Sequence, residues 1–116
     1  MHFARKYIEL AAEVAVFDDR RAYQIGAIGI RSDGVIVSAR NRPAPQRTPS
    51  AHAEACCMRK MDRGGVMFVA RIASLEPKNK LRLAKPCADC MKMLRRRGVL
   101  VVWYSLNDGG IECVRP

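Results

Sequence analysis

The sequence predicts a three-layer α/β/α domain built around a five-stranded mixed sheet. Segments with apolar residues at three- and four-residue spacing, typical of helices, alternate with short apolar segments typical of strands. Such an alternation places helices on the faces of one sheet. The chain has 116 residues, of which 49% are hydrophobic, and this is enough for a single core. We therefore assign residues 1–116 to one domain.

The chain begins with a predicted helix and a predicted strand. Residues 5–17 carry an apolar stripe, so we expect them to form the first helix. Residues 23–31 form the first strand, in which the small residues Gly26, Ala27 and Gly29 indicate that a helix packs closely against the sheet.

A tight turn, a second strand, a loop and a second helix follow. Asp33-Gly34 is a typical hairpin signal, so residues 35–39 return as the second strand. Residues 40–49 contain three prolines, which forbid regular strand pairing there. Residues 51–63 form the second helix, which ends before the glycine pair at 64–65.

The rest of the chain predicts three strands and one helix. The strands lie at 66–75, 99–105 and 111–114, and the helix lies at 87–97. The segment at 76–85 is polar and basic, with Lys78, Lys80, Arg82 and Lys85. The short turn at 107–110 leaves no room for a crossover helix, so the last two strands form an antiparallel C-terminal hairpin.

Charge and composition limit which class of protein this chain can belong to. The net charge of +10 favours anionic partners such as nucleotides or nucleic acid, with a merely solvated basic surface as an equal alternative. No apolar run reaches the roughly 18 residues of a membrane span, and Glu9 and Glu13 interrupt any signal-like segment. We therefore expect a cytoplasmic protein whose five cysteines are thiols or metal ligands.

Two short motifs carry the chemistry. One is a His-x-Glu motif at His52 and Glu54, and the other is Pro-Cys-x-x-Cys at 86–90. The proline favours a helix start, which places Cys87 and Cys90 on one face of the first turn, where the helix dipole favours thiolates. With the histidine they offer three zinc ligands and leave a fourth position open, as in catalytic sites. For the Cys-x-x-Cys motif alone, redox and structural zinc roles are the alternatives.

The spacing of the His-x-Glu motif restricts where the metal lies. Residues two apart on a helix point about 200° apart, so both reach one point only from the helix tip. We expect the metal between the starts of the second and third helices, with Glu54 beside it but not bound to it. Zinc would activate a water molecule, and Glu54 would accept and release its protons.

Polar residues after the second strand are candidates for binding the substrate. Asn41 can hold a sugar hydroxyl or a base edge through its amide, and a turn-forming asparagine is the alternative. Arg42, flanked by Arg40 and Arg47, can meet a phosphate group.

Three further residues are interpreted as structural and not as part of the site. Cys57 shares a helix face with apolar neighbours, Cys113 is a small residue of the last strand, and Trp103 is expected in the core.

The two motifs resemble those of the cytidine/deoxycytidylate deaminase-like superfamily, and the order of elements is similar over the whole chain. The resemblance implies the cytidine deaminase-like fold. It also implies that His52, Cys87 and Cys90 bind Zn²⁺ and that Glu54 is the proton shuttle.

The resemblance also bears on the substrate. Asn41 matches the position where members hold the sugar, and Ser50 and Ala51 lie where members use backbone groups near the base. A homo-oligomer is implied as well. The turn at 107–110 resembles the division that includes free-cytidine and blasticidin deaminases, but His52 stands where free-cytidine enzymes often have cysteine. No single subfamily therefore supplies the substrate.

We expect hydrolytic deamination of cytosine to uracil in a nucleoside or nucleotide. The first alternative is deamination of a cytosine or adenine base within DNA or RNA, for which the charge of +10 would follow the backbone. The second is a zinc-binding module without catalysis, which Glu54 disfavours because a structural site needs no proton shuttle.

Overall fold

The computed structural model describes residues 2–16, 24–41, 52–73 and 80–116. Three helices and six strands follow one another in these ranges. In chain order they are α1 (His2–Ala15), β1 (Gln24–Ile30), β2 (Ile36–Arg40), α2 (Ala53–Met58), β3 (Val66–Ile72), β4 (Leu81–Arg82), α3 (Ala88–Arg97), β5 (Val101–Ser105) and β6 (Ile111–Val114).

The strands form one mixed sheet in the order β2-β1-β3-β5-β6, with β4 paired to the end of β3. Strand β1 runs antiparallel to both β2 and β3, and β3 runs parallel to β5. Strands β5 and β6 are antiparallel, as the short turn between them predicts. The mixed sheet and the C-terminal hairpin therefore confirm the predicted fold class.

The two faces of the sheet bury different helices. On one face, called the α1 face, α1 packs against the sheet through Ala4, Ile8, Ala11, Ile28, Phe68 and Ala70. The other is the α2/α3 face, where the cluster includes Ala27, Ala53, Cys57, Met61, Met67, Val69, Ala84, Leu94 and Val102. Because neighbouring strand residues alternate between the two clusters, the domain has three layers.

Two glycines of β1 allow helices to approach the sheet from both sides. A Cβ atom on Gly26 would overlap the backbone carbonyl of Ala11 in α1 and lie 2.8 Å from the nitrogen of Ala15. A Cβ atom on Gly29 would overlap the sulfur of Met61 and lie 3.1 Å from Cys57 Sγ. The close packing predicted from the small residues of this strand is thus confirmed on both faces.

Helix α2 is shorter than the sequence predicts, since it ends at Met58 and not at residue 63. Lys60 N donates to the carbonyl of Cys57, and Met61 N to that of Met58, so the chain tightens into three-residue turns. The guanidinium of Arg97 then donates to the carbonyl of Met61 at 3.1 and 3.2 Å. Tertiary packing of Met61 against the sheet outweighs the local preference for helix there.

Strand β4 lies in the polar and basic segment at 76–85, where no strand was predicted. Leu81 pairs with Ile72 and Arg82 with Arg71, so two residues extend the sheet beside the end of β3. A strand of this length gives too short a pattern to recognise in the sequence.

A lysine that follows α2 makes a hydrogen bond to the backbone of the outer strand β2. Lys60 Nζ donates to the carbonyl oxygen of Ser38 at 2.6 Å. At the start of the same strand, Val35 and Ile36 are about half exposed. No helix in the described part of the chain is long and apolar enough to cross a membrane.

Candidate metal centre

The starts of α2 and α3 lie at the same end of the sheet. Helix α2 follows the carboxyl end of β2. Helix α3 ends at Gly98, whose carbonyl accepts from Gly64 just before β3, so α3 begins near the carboxyl end of β3. The carboxyl ends of strands are where α/β proteins usually place their ligands.

Each of these helix starts carries candidate metal ligands. His52 is the N-cap residue of α2 and Cys87 is the N-cap residue of α3. The Nδ1 atom of His52 lies 3.3 Å from Cys90 Sγ and 3.8 Å from Cys87 Sγ. All three donor atoms lie within 4.8 Å of one another.

The donor set fits a tetrahedral zinc ion. Zinc bonds of about 2.3 Å to sulfur and about 2.0 Å to nitrogen separate such ligand atoms by about 3.6 Å. The two observed nitrogen–sulfur distances, 3.3 and 3.8 Å, lie on either side of this value. His52, Cys87 and Cys90 are therefore compatible with a Zn²⁺ site, and three ligands leave a fourth position for a water or a substrate.

The two thiols have different surroundings. Cys87 is exposed, and its sulfur accepts a hydrogen bond from Cys90 N at 3.4 Å, which caps α3. Cys90 is buried, and burial, followed by the nearby Glu54 carboxylate, raises its pKa well above the ordinary thiol value. The expected thiolate at the helix start is thus opposed by burial at Cys90. A cation bound by this donor set would favour the ligating thiolate form of Cys90.

Glu54 is a buried carboxyl group in the first turn of α2, only 5% exposed. Its Oε1 atom is buried and has no hydrogen-bond partner among the residues that the structure describes. Burial raises its pKa from 4.5 to about 7, against a smaller lowering by its own backbone amide. A carboxyl group with a pKa near neutral is suited to accept and release a proton.

Asn41 has a clear structural role at this end of the sheet. Its Oδ1 accepts from Ile25 N at 3.0 Å, and its own N donates to the carbonyl of Ile25 at 3.1 Å. Asn41 thus extends the pairing of β2 with β1. Arg42, Ser50 and Ala51 lie outside the described residues.

The residues interpreted as structural differ in their burial. Cys57 is fully buried in the core, as predicted, and burial raises its pKa to about 12. Trp103 is half-buried on the α1 face, edge-on to Phe3 at 5.9 Å. Cys113 lies in the last strand, β6, as predicted, and its side chain is exposed. An edge strand has one side without a neighbour, which the local sequence does not reveal.

Two arginines that are distant in the sequence lie together at the same end of the sheet. Arg71 of β3 and Arg82 of β4 lie directly opposite each other. Only the pairing of β4 brings them together, and the sequence signal for that strand is weak.

Comparisons with known proteins agree with this site and fold. The family described as "Cytidine and deoxycytidylate deaminase zinc-binding region" matches residues 1–106. No curated protein matches the sequence significantly. The chain is similar in structure to the dCMP deaminase of cyanophage S-TIM5, with a TM-score of 0.63 and 23% identity, covering 90% of this chain and 83% of that one.

A second similar structure is the cytidine deaminase of Burkholderia pseudomallei, with a TM-score of 0.67 and 16% identity, covering 98% of this chain and 91% of that one. A third is the cytidine deaminase of Mycobacterium leprae, with a TM-score of 0.61 and 16% identity, covering 93% and 90%. At these identities the solved structures support the fold, while the match over residues 1–106 identifies the family. The chain belongs to the cytidine and deoxycytidylate deaminase family.

Proposed function

We propose that this protein is a zinc-dependent hydrolase that deaminates cytosine to uracil in a nucleoside or nucleotide. The observation that carries the proposal is the buried carboxyl group of Glu54 beside the His52, Cys87 and Cys90 donor set. A structural zinc site has no need of a buried carboxyl group with a near-neutral pKa. A hydrolytic deaminase needs one, because it must move protons between water and base.

The roles of the residues follow from the chemistry of the reaction. When bound, zinc supplies a water molecule activated as a nucleophile near neutral pH. Glu54 accepts a proton from that water and delivers it to the ring nitrogen N3 of cytosine. Glu54 then moves the second proton of the water to the exocyclic amino group. The C4–oxygen bond forms, the C4–nitrogen bond breaks, and ammonia leaves.

Burial helps Glu54 in this role. Bulk water is kept from its carboxyl group, so a proton taken up there is passed to the substrate and not lost to solvent. The Oε1 atom of Glu54, which has no hydrogen-bond partner among the described residues, is the acceptor that would receive this proton.

The proposal also covers the residues that contact the substrate, the oligomeric state and the location in the cell. We assign the sugar or base contact to Asn41 and further contacts to Ser50, Ala51 and Arg42. A homo-oligomeric, cytoplasmic enzyme remains our expectation. Size-exclusion chromatography with light scattering measures the oligomeric state directly.

The function is tested by supplying zinc-loaded protein with cytidine, deoxycytidine, CMP, dCMP and a cytosine-containing single-stranded oligonucleotide. We expect uracil products and equimolar ammonia from at least one of the four small substrates. Uracil formed only in the oligonucleotide would replace this proposal with a polynucleotide deaminase. Bound zinc with no product from any of the five would leave a non-catalytic zinc module.

A pair of cysteine variants tests the metal ligands. Cys90→Ser removes a proposed ligand, and Cys113→Ser alters an exposed thiol on β6 as the matched control. We expect zinc content, measured by mass spectrometry, to fall only in the first variant. Full zinc occupancy in Cys90→Ser would contradict the ligand assignment.

A further inference from the structure

The chain that leads into the candidate metal ligand Cys87 leaves the sheet early. Strand β4 is only two residues long and ends at Arg82. Residues 83–86, between that strand and the N-cap of α3, belong to no helix or strand. The position of the first cysteine must therefore be fixed by something other than strand pairing.

Two residues, one at the end of β5 and one in the turn after it, supply this support. The carbonyl of Ser105 accepts from Ala84 N at 2.9 Å, and its hydroxyl group donates to the carbonyl of Arg82 at 2.6 Å. The Oδ1 atom of Asn107 accepts from Leu83 N at 2.9 Å. These hydrogen bonds hold three consecutive residues, 82–84, which we call the anchored segment.

The anchored segment is joined to Cys87 by two residues with little conformational freedom. The ring of Pro86 fixes its own φ angle and restricts the backbone of Lys85 before it to extended conformations. Pro86 is also buried, so the surrounding side chains limit its movement. A displacement of Ala84 is therefore passed on to Cys87 and is not absorbed between them.

The two cysteines depend on this support to different degrees. Cys90 is fully buried, one helical turn before the buried Leu94, so the surrounding core fixes its sulfur. Cys87 is exposed at the N-cap of α3, where its one described support is the hydrogen bond that its sulfur accepts from Cys90 N. The position of Cys87 Sγ is therefore set largely by the backbone before it, which is the anchored segment.

We infer that Asn107 and Ser105 are positioning residues for the metal centre, which hold Cys87 in place before zinc binds. This inference rests on the proposed metal ligands and adds two residues that act on them through the backbone. Ordering a backbone costs conformational entropy, and a segment that folding has already ordered does not have to be ordered by the metal. The short turn of the C-terminal hairpin thus contributes to zinc affinity.

A purely structural role for these hydrogen bonds is the alternative, and the turn itself offers the comparison. Asp108 is exposed in the same turn, and its Oδ1 accepts from Gly110 N at 2.8 Å. Asp108 therefore bonds within the turn, whereas Asn107 bonds across to Leu83. Loss of either side chain removes the acceptor of one backbone N–H, but only Asn107 is linked to the metal ligand.

The experiment measures zinc affinity in the wild type, Asn107→Ala, Asn107→Asp and the control Asp108→Ala, by competition with a chelator that absorbs light differently when it binds zinc. Asn107→Ala should weaken zinc binding about 5- to 10-fold, because the metal must then order the anchored segment. Asn107→Asp keeps the acceptor oxygen and should stay within about 2-fold of the wild type. Asp108→Ala should also stay within about 2-fold, since exposed charges are screened by salt.

Ser105→Ala is the second variant, because the hydroxyl group of Ser105 joins the anchored segment to β3. It accepts from Arg71 N at 3.2 Å and donates to the carbonyl of Arg82, so the variant removes a partner from both backbones. The double variant Asn107→Ala/Ser105→Ala should weaken zinc binding about 10- to 100-fold, the usual effect of losing supporting contacts around a metal site.

Two measurements on the metal-free proteins separate positioning from simple stability. Urea unfolding should show similar small losses for Asn107→Ala and Asp108→Ala, since each loses one exposed hydrogen bond. Hydrogen exchange at the amides of Leu83 and Ala84 should be faster in Asn107→Ala but not in Asp108→Ala. Added zinc should slow this exchange again, because binding at Cys87 orders the segment.

Several outcomes would overturn the inference. Equal zinc affinity in Asn107→Ala and the wild type would do so, and equal weakening in Asn107→Ala and Asp108→Ala would assign the effect to the turn as a whole. Absence of zinc binding by the wild type would overturn the ligand assignment and this inference together. If Ser105→Ala does not fold, the Asn107 variants decide the question alone. None of these measurements needs turnover, so failure of the proposed reaction is a separate result.

Discussion

The two faces of the sheet are built from the same strands but differ in almost every physical respect. The α1 face is covered by one 14-residue helix and packs aromatic rings, with Tyr7 5.0 Å from Phe68. The α2/α3 face is covered at its metal end by a six-residue helix and contains thiols and the buried carboxyl group of Glu54. The comparison teaches that the α1 face buries apolar and aromatic side chains, while the α2/α3 face adds a buried carboxyl group and candidate metal ligands to its apolar cluster.

The largest expected effect is on the α2/α3 face. Glu54→Gln keeps the size and burial of the side chain but removes its capacity to exchange protons. We expect kcat to fall at least about 10²- to 10⁴-fold while zinc content and folding are retained. The matched control is Glu9→Gln, an exposed residue of α1 that should keep full turnover. Substantial turnover in Glu54→Gln, measured as ammonia release, would remove Glu54 from the mechanism.

The next effect concerns the α1 face. Phe68 is fully buried there, so Phe68→Ala should lower the free energy of unfolding by about 3–5 kcal/mol. Phe3 packs on Phe68 but is 50% exposed, and Phe3→Ala should cost about 1 kcal/mol. Urea denaturation measures both values. Both variants should bind zinc when folded, and loss of zinc from folded Phe3→Ala would show that the faces are not independent.

The glycines of β1 compare the two faces directly. In Gly26→Ala the new methyl group meets the backbone of α1, which cannot move without displacing the helix, so we expect a loss of about 3 kcal/mol. In Gly29→Ala it meets the side chains of Met61, Val37 and Cys57, and the methionine can change rotamer, so about 1 kcal/mol is expected. Equal losses in thermal or urea unfolding would contradict this difference.

The smallest effect concerns an exposed contact behind α2. The backbone N–H and the hydroxyl group of Ser32 both donate to the carboxylate of Asp62, and these hydrogen bonds lower the pKa of Asp62. Stability from this contact is fully present above the ordinary aspartate pKa of 3.8 and is lost as pH falls through the lowered value. Asp62→Asn should therefore be slightly less stable than wild type at pH 7, with a difference that shrinks toward pH 3. If the stability difference between Asp62→Asn and wild type grew toward pH 3, the charged form of Asp62 would not be the one that this contact stabilises.

Local patterns predicted most of the helices and strands and the cluster of candidate metal ligands. The apolar stripe of α1 and the hairpin turns depend on neighbouring residues, so the sequence carries them directly. The two-residue spacing of His52 and Glu54 permits few geometries, so it also predicted that His52 lies at a helix start. The proline before Cys87 predicted the same for the two cysteines. The exact donor distances depend on packing between helices and could not be read from spacing.

Features that depend on contacts between distant segments were not predicted. Helix α2 ends early where Met61 packs against the sheet, and Arg97, 36 residues away, donates to the carbonyl of Met61. The Arg71 and Arg82 pair depends on a two-residue strand. At Cys90 the burial created by the surrounding layers opposes the helix dipole, and the local motif contains no measure of that burial.

The lysine on the outer strand has a consequence for the protein in concentrated solution. An unpaired sheet edge with apolar residues such as Val35 and Ile36 invites another copy to add a strand, which leads to aggregation. The ammonium group of Lys60 occupies the carbonyl of Ser38 and puts a positive charge where an incoming strand would dock. This contact places a charged side chain at the outer edge of the sheet, which is one way in which proteins disfavour edge-to-edge pairing of their strands.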